Sequence, residues 1–585
     1  MGGLDWSIVV VLNGGTILYG LYLSRGVRSS ADWFLAGRQL PWWLIGLSMY
    51  ATAIDSSDLV ADSGGTYTMG LGVMVANWVG VIGGWVLAGF FVFLPMYRIG
   101  VYTNAEYLEA RFGTTVRVLC AFVQVQYRTL VLAIISTSVF LTLSIVCGWD
   151  STTAWSVVVG IAIVASIYTA FGGLRSVAIT DALQFGIMSV AGLVIWFSVW
   201  GSVGGWEGTQ QRLEAVNPKL VELLHIGADQ IDIEDVSTLS EEVIERKLLL
   251  GGSYDKSQDA IVRVTPGWLV ALAFAIIGVG YAVVNHTQAM RMFAARNEWH
   301  LKMSIFAASV PLLAMTFFNL SIGVMGRALM PEQADLPFGR QDSIYPLLAS
   351  QVATVGLKGI VVAGMLAAAL STYDSIGSSL SALLTRDVYA RLLVRDRDDH
   401  HYLRVGQWLT PIIILGSFAY VPFMDGGMLK FYVDITSTFV MPLLTLFLMG
   451  TMTRVHRRSG LIGLMAGVLY GVVRMLSPML ADSYGIAVLP VWLANSWAAY
   501  PFSMAVSAGT MVIVSLFTGF SDRATQVGQT HKEDSPWLRD SLQKVREINH
   551  GHEGEDKDGL SMRLPIALAA IAIITGCVLS FVILW

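Results

Sequence analysis

Ala368, Ser371 and Thr372 stand at positions i, i+3 and i+4 of a stretch that reads GMLAAALSTYDSIGSSLSALLTRDVY. On an α-helix this spacing places one backbone carbonyl and two hydroxyl groups on the same face. Oxygen ligands of this kind bind hard cations such as sodium. If the face meets unwound backbone at Ala51 and Ile54, two further carbonyls complete a neutral cage of oxygen atoms. Alternatively, both hydroxyls donate to carbonyls of their own helix.

Two stretches of the chain resist a regular membrane-helix interpretation. Ala51 to Gly65 reads ATAIDSSDLVADSGG, and its aspartates are tolerated in a membrane only where the segment faces protein or water. Gly278 to Gln288 reads GVGYAVVNHTQ and mixes glycines with polar residues. Interrupted helices of this kind predict a binding site near the middle of the bilayer. The alternative is that the glycines serve helix packing.

The composition predicts an all-α polytopic membrane protein. Apolar residues make up 55% of the 585 residues, charged residues only 14%, and the mean hydropathy is +0.62. In soluble domains about a quarter of the residues are charged. About fourteen stretches are long enough to cross a bilayer; they lie near 6–24, 41–67, 70–95, 119–147, 152–171, 180–201, 267–287, 300–327, 357–385, 404–423, 430–452, 459–477, 497–519 and 565–585.

The distribution of basic residues predicts the topology. They gather in alternate connections, which by the positive-inside rule face the cytoplasm. The first cluster follows the first span, and an even number of spans returns the chain to its starting side. We therefore expect a plasma-membrane protein with both termini outside. The basic residues are Arg25, Arg28, Arg38, Arg98, Arg111, Arg117, Arg291, Arg296, Lys302, Arg386, Arg391, Arg395, Arg397, Arg454, Arg457 and Arg458.

The order of spans and hydrophilic segments indicates an internal repeat. Two sets of five spans start on opposite sides of the membrane, each with an interrupted first helix, as in the inverted repeats of many secondary transporters. The predicted parts are a leading helix and loop (1–40), the first repeat (41–201), an external cap (202–266), the second repeat (267–452), trailing helices (453–519), a cytoplasmic loop (520–562) and a last helix (563–585).

Several function classes are disfavoured by the same residues. Apart from His300 at the first position of a span, His286 is the only histidine inside a repeat span, and the sequence has no HExxH motif, so we expect no enzyme. The three cysteines lack metal-cluster spacing. The net charge of −5 averages over two compartments and does not indicate a nucleic-acid partner.

A resemblance to a known family comes from four motifs. YTAFGGLRSVAITDALQF (168–185) resembles the signature region of the sodium:solute symporters. VYTNAEYLEARFG (101–113), NHTQAMRMFAAR (285–296) and the stretch ending in LLTRDVY are similar to further parts of that family. The resemblance covers about residues 6–480. Fourteen spans with a hydrophilic loop before the last look most like the sodium/sugar cotransporter branch.

The resemblance implies the five-plus-five fold and the ion sites. The principal sodium site falls on the carbonyls of Ala51, Ile54 and Ala368 and on the hydroxyls of Ser371 and Thr372, the set that the spacing indicates independently. A second cation site, which some members have, falls on Asp181 and Ser375. One or two sodium ions are therefore expected to be co-transported.

The expected solute positions match the sodium/sugar branch less closely. Asn285 matches a sugar-contacting asparagine, whereas Asp58, Asp434 and Asn77 replace other residue types of that branch, and Asp55 is a further candidate. An ionised carboxylate can accept hydrogen bonds from sugar or polyol hydroxyls. It could equally attract an ammonium-bearing solute, because an uncompensated carboxylate in the membrane interior is costly. A purely structural role, paired with Arg128 or His286, is the third alternative.

The function expected from these features is sodium-coupled import of a small organic solute by alternating access, with a sugar or polyol as the favoured solute. The alternatives are an amine-bearing solute such as an amino acid or a choline-like cation, a transport-inactive solute sensor of the same fold, and a channel. The expected partners are therefore the solute, sodium and the lipid bilayer. The oligomeric state is left open.

Overall fold

The computed structural model describes residues 1–25, 29–257, 259–424, 428–521, 536–553 and 561–585. The fold is a bundle of long apolar helices, which confirms the all-α membrane class. Among the described residues, 12 helices are long and apolar enough to cross a membrane. They are Gly3–Ser24, Ala76–Ile99, Thr114–Cys147, Ser151–Val203, Gly267–Val284, Glu298–Leu329, Leu357–Leu393, Asp399–Phe423, Met428–Met452, Ser459–Ala481, Ala499–Thr518 and Arg563–Ile583.

Shorter elements connect these helices. The hydrophilic segment 202–266 holds a three-stranded antiparallel sheet of Gln230–Asp235, Ala260–Thr265 and Ser253–Asp255, in that spatial order. The shorter helices are Ser30–Leu35, Ala36–Arg38, Trp42–Ala53, Asp58–Asp62, Ser63–Met69, Gly70–Met74, Asn104–Phe112, Gly205–Val216, Pro218–Leu224, Glu241–Leu248, His286–Phe293, Gln333–Asp335, Pro337–Gly339, Gln341–Ser343, Ile344–Val352, Val491–Ala494 and Pro536–Glu553.

Two features account for the difference between these helices and the expected spans. The helix Ser151–Val203 contains 53 residues, so it would be about 80 Å long if straight, far more than the 30 Å of a bilayer core. Its helical geometry is interrupted at Gly173, whose φ of +64° suits glycine. This interruption lies between the spans expected at 152–171 and 180–201. The segment Trp42–Met69 is too broken to count as one apolar helix, so the total of fourteen stays a prediction.

Both expected helix interruptions are present. Trp42–Ala53 ends where Ile54 becomes extended, with φ −114° and ψ 106°. Gly267–Val284 ends at Asn285, which is also extended and caps the helix His286–Phe293. The inverted relation between the two halves stays a prediction.

The glycines near the interruptions serve packing, as the alternative interpretation held. A Cβ atom at Gly278 would lie 2.0 Å from the carbonyl oxygen of Ala76, and one at Gly65 would lie 2.7 Å from the side chain of Leu429. These positions therefore allow backbones and side chains to approach closely. The breaks themselves occur elsewhere, at Ile54 and Asn285.

Buried ion pairs join the helices at one end of the bundle, called here the basic end. Arg117 donates to Glu109 and Asp387 at 2.6 Å, and Arg386 donates to Glu106 at 2.8 Å. Arg391 also donates to Glu109. Several arginines that the sequence places in connections are thus buried inside the protein.

The helix Pro536–Glu553, from the hydrophilic segment 520–562, covers the basic end. The ring of Trp537 stacks on Tyr402 with their centroids 4.1 Å apart. Ser541 accepts a hydrogen bond from Arg386 at 3.0 Å. The rest of that segment, residues 522–535 and 554–560, lies outside the described residues.

Candidate functional site

The first site is the oxygen cluster expected to bind sodium. Ser371 donates a hydrogen bond to the carbonyl of Ala51 at 3.0 Å, and Thr372 donates to the carbonyl of Ala368 at 3.3 Å. Ile54 follows in the broken segment, and all five residues are fully buried. The structure thus brings the face of Leu357–Leu383 against the first helix break, as the spacing indicates.

The local hydrogen bonds explain why the Ala51 carbonyl can serve such a site. In a regular helix this carbonyl would accept from the N–H of Asp55, four residues later. Here the Asp55 N–H donates instead to the carboxylate of Asp58 at 2.6 Å. The carbonyl is therefore open to a hydroxyl or a cation. Neutral carbonyl and hydroxyl oxygens fit a monovalent hard cation, because they supply dipoles without excess charge.

Asp181 and Ser375, the expected second cation site, are joined by Arg291. One guanidinium nitrogen of Arg291 donates to Asp181 at 2.8 Å and also to Ser375. Asp181 further accepts hydrogen bonds from Ser371 at 2.6 Å and from Ser48 at 2.5 Å. Asp181 and Arg291 have no solvent exposure. The positive charge between Asp181 and Ser375 is thus already supplied by the protein, and the first cluster is linked to this ion pair through Ser371.

A cavity lies on the other side of the first helix break. Its volume is about 710 Å³, including the part that opens to solvent. Three expected solute residues, Asp55, Asp58 and Asn77, lie in its wall together. The lining residues are Ala53, Asp55, Ser57, Asp58, Ala61, Asp62, Ala76, Asn77, Val81, Arg128, Val131, Ile134, Tyr281, Met428, Leu429 and Tyr432.

Among the described residues, Arg128 is the only positively charged one in this wall. Its side chain is 2% exposed and lies beside the rings of Tyr127 and Tyr281, at 5.5 and 5.7 Å from their centroids. Its Nε and Nη2 atoms have no hydrogen-bond partner among the described residues. No carboxylate of the described residues lies within ion-pair distance of Arg128, but Asp55 and Asp58 act on it electrostatically. A structural role for Arg128 beside the aspartates therefore stays an alternative.

Asn285 and Asp434, the remaining expected solute residues, lie apart from the cavity wall. Asn285 accepts a hydrogen bond from the N–H of Thr287 at 3.0 Å and so caps the helix after the second break. Asp434 forms an ion pair with Arg474 at 2.9 Å. His286 is buried, and its two ring nitrogens have no partner among the described residues.

Two arginines belong to the sites although sequence reasoning gave them no binding role. Arg291 follows the second break closely and is counted among the loop residues, while Arg128 is considered only as a structural partner for the aspartates. A charged residue inside the apolar run QVQYRTLVLA is itself a signal, because charges in membrane spans are costly and usually functional. The tyrosines Tyr281 and Tyr432 carry no comparable signal.

Comparisons with known proteins agree with this architecture. The model of the sodium:solute symporter family matches residues 33–467. Solute carrier family 5 member 4 of Rattus norvegicus is 28% identical over 506 residues, covering 82% of this chain and 72% of that protein. Sodium/myo-inositol cotransporter 2 of Sus scrofa is 26% identical, covering 81% of this chain and 70% of that protein. Sodium/glucose cotransporter 4 of Danio rerio is 28% identical, covering 81% and 71%.

Two solved structures share the fold. A Na⁺-coupled sialic acid symporter, in a substrate-bound outward-open state, superposes with a TM-score of 0.71 at 17% identity, covering 90% of this chain and 99% of that one. A nucleobase-cation-symport-1 family transporter in a closed conformation superposes with a TM-score of 0.51 at 11% identity, covering 87% and 99%.

Proposed function

Since the chain belongs to the sodium:solute symporter family, we propose that it carries a sugar or polyol inward together with sodium by alternating access. The observation that carries this proposal is the shared helix break. Its carbonyl at Ala51 meets Ser371 in the oxygen cluster, and its side chains Asp55 and Asp58 line the cavity. Sodium and solute would therefore act on the same short piece of backbone.

The shared break offers a physical route to coupling. A ligand shifts a conformational equilibrium only by binding one state more tightly than the other. Sodium held between Ala51, Ile54 and the hydroxyls of Leu357–Leu383 would stabilise the arrangement that joins these two helices. The same arrangement positions Asp55 and Asp58 for the solute, so sodium occupancy would raise solute affinity.

The main sodium site that we propose consists of the five oxygens predicted from the sequence. A second sodium at Asp181 and Ser375 would have to share or displace the guanidinium of Arg291. Displacing a fully buried charge from its partner is costly. Any second ion is therefore expected to depend strongly on Arg291.

A sugar or polyol is favoured by two lines of support. The relatives are cotransporters for glucose and for myo-inositol by name. The cavity wall supplies carboxylate oxygens that accept from hydroxyl groups and the aromatic rings of Tyr281 and Tyr432. Asp55, Asp58 and Asn77 are the proposed solute contacts.

An amine-bearing solute is the second candidate, because one observation favours it. The wall carries three aspartates, Asp55, Asp58 and Asp62, against a single arginine. An ammonium group would offset part of this negative charge. The charge moved per solute would then exceed that of a neutral sugar by one.

We also propose a plasma-membrane location with both termini outside. The segment 202–266 contacts the carboxyl end of the chain, since the N–H of Ile226 donates to the carbonyl of Leu584 at 2.6 Å. The basic end, covered by Pro536–Glu553, carries the buried arginines of the connections assigned to the cytoplasm. Both observations support the assigned sides of the membrane.

The test is uptake into proteoliposomes. The protein is expected to accumulate a labelled sugar or polyol only with an inward sodium gradient, and potassium should not replace sodium. Uptake without sodium dependence would contradict symport, and continuous ion conduction without saturation would indicate a channel. Sodium-dependent binding without uptake would indicate a sensor. Amine uptake with no sugar or polyol uptake would select the second candidate.

A further inference from the structure

Arg128, which lines the cavity, has two guanidinium nitrogens without a hydrogen-bond partner among the described residues. Nε and Nη2 of Arg128, the two nitrogens along one edge of the planar guanidinium group, form no hydrogen bond with any described residue. The side chain is 2% exposed and sits near the middle of the helix Thr114–Cys147. Buried polar groups are nearly always hydrogen-bonded. Asp55 and Asp58 act on Arg128 electrostatically, but neither forms a hydrogen bond with these two nitrogens. The exception therefore calls for a ligand.

The missing partner must bring acceptor atoms. Nδ2 of Asn77, also in the wall, is the other buried side-chain atom there without a described partner, and it too is a donor. Two of the acidic residues in the wall already accept hydrogen bonds from the protein. Asp55 accepts from the backbone N–H of Ser57 at 2.7 Å, and Asp58 accepts from the N–H of Asp55.

We propose that the transported solute carries a carboxylate, bound by the Nε and Nη2 edge of Arg128, in addition to its hydroxyl groups. This inference rests on the proposed symport and specifies its solute class as a hydroxylated acid, such as an aldonate or a uronate. The two nitrogens match the spacing of two carboxylate oxygens, the geometry in which arginine binds most strongly. Asn77 donates a further hydrogen bond, and Asp58 accepts from the solute hydroxyls.

The surroundings of Arg128 select among anions. Asp55, Asp58 and Asp62 share the cavity, so a doubly charged group such as a phosphate would meet strong repulsion. When the single carboxylate of a hydroxylated acid binds Arg128, the hydroxyl groups of that solute can face these aspartate acceptors. A neutral sugar can use the acceptors, but it offers Arg128 only neutral oxygens, which form weaker hydrogen bonds than a carboxylate.

The experiment compares pairs of solutes that differ only at the acidic group. Gluconate is tested against sorbitol, and glucuronate against glucose, by binding and uptake with purified protein in sodium and in potassium. We expect gluconate to bind about 10- to 100-fold more tightly than sorbitol, the range for one charge-assisted contact. Each gluconate should also move one positive charge fewer than each sorbitol.

Variants test the role of the guanidinium directly. Arg128→Gln should bring the affinities for gluconate and sorbitol to within a few fold of each other. Arg128→Lys should restore only part of the preference for the acid, because an ammonium group lacks the two parallel N–H donors of the guanidinium. Arg474→Gln is the matched control, since it makes the same charge change at the Asp434 ion pair outside the cavity. It should retain the acid preference.

The outcomes separate this inference from the proposed symport. Equal affinity of the unmodified protein for gluconate and sorbitol, or an acid preference that survives Arg128→Gln, overturns the carboxylate site while sodium-dependent sorbitol uptake still supports symport. If the protein prefers an amino acid to both gluconate and sorbitol, the proposal that its solute is a hydroxylated acid is wrong. Failure of every solute to bind with sodium dependence contradicts the proposed symport and this inference together. If Arg128→Gln does not fold, the paired solutes decide the question on the unmodified protein alone.

Discussion

Replacing Ser371 and Thr372 together by alanine should strongly weaken the response to sodium. In the structure, Ser371 Oγ lies 3.0 Å from the carbonyl of Ala51 and 2.6 Å from Asp181, so its single proton has two acceptors within reach, and Thr372 donates to Ala368. When a cation occupies the cluster, the Ser371 hydroxyl can donate to Asp181 while its lone pair faces the ion. The double variant would then remove two of five oxygen ligands.

The magnitude follows from the strength of hydrogen bonds and ion contacts that involve a charge. Each such contact contributes about 1.5–3 kcal/mol, so losing two should weaken sodium binding by about 3 kcal/mol or more. This corresponds to roughly a hundredfold or greater rise in the dissociation constant. Ser371→Ala should also cost more baseline stability than Thr372→Ala, because Ser371 serves the buried Asp181.

The assay is thermal unfolding with sodium titrated against potassium at constant ionic strength. A ligand that binds only the native state stabilises it by RT ln(1 + [L]/Kd), so the titration reports the sodium affinity. Ser378→Ala is the matched control: Ser378 lies on the same helix, is 1% exposed, and donates to the carbonyl of Asp374 in its own helix. It should keep the unmodified sodium titration.

One result would refute the assignment. If the double variant folds and is stabilised by sodium at the same concentrations as the unmodified protein, the five-oxygen cluster does not bind the ion. A loss of sodium response in Ser378→Ala of equal size would also contradict it, since that hydroxyl lies outside the cluster.

Further predictions concern the charged residues. Asp181→Asn should lower the sodium Hill coefficient or the charge moved per solute if a second ion binds there, and an unaltered charge-to-solute ratio would count against that site. Asp58→Asn should weaken solute binding by about 1–3 kcal/mol, whereas Asp434→Asn, at an ion pair outside the cavity, should change the unfolding temperature and leave solute affinity nearly unaltered; binding titrations distinguish the two. Glu109 lies outside the spans, and although burial favours its neutral form, Arg117, Arg391 and Thr114 together outweigh this and hold the pKa of Glu109 at about 2. Its contribution to stability is thus present above the unfolded pKa of about 4.3 and lost as the pH falls toward 2, and Glu109→Gln should flatten the pH dependence of unfolding in that range.

Features set by local periodicity could be predicted from the sequence. Ala368, Ser371 and Thr372 share a face in any α-helix, and the aspartates after Ala51 are incompatible with an unbroken membrane helix. These rules concern neighbours along the chain. They therefore identified the cluster and the break, whose contact the structure shows.

Pairings between distant residues could not be predicted in the same way. Arg291 meets Asp181 across 110 positions of sequence, and nothing in the spacing of either residue indicates the other. Because Arg291 lies close to the second break, the sequence pattern predicts that it belongs to a solvent-facing connection. Likewise, an arginine at position 128 indicates a buried charge, but not that the residue lines a cavity without a hydrogen bond to an aspartate.

The proposed carboxylate site places a requirement on the number of sodium ions. One sodium entering down a tenfold gradient and 100 mV supplies about 1.4 plus 2.3 kcal/mol, enough for several-hundredfold accumulation of a neutral solute. A monovalent acid brings in the opposite charge, which cancels the voltage contribution and leaves only about tenfold accumulation. With two sodium ions the total is about 5 kcal/mol, which supports accumulation of several thousandfold. Accumulation of gluconate well above tenfold would therefore demand a second ion, and Asp181 with Ser375 is the site at which Arg291 would have to make room for it. Accumulation that stays near tenfold and does not respond to voltage would instead indicate that no second sodium ion binds, and that Arg291 alone supplies the positive charge beside Asp181.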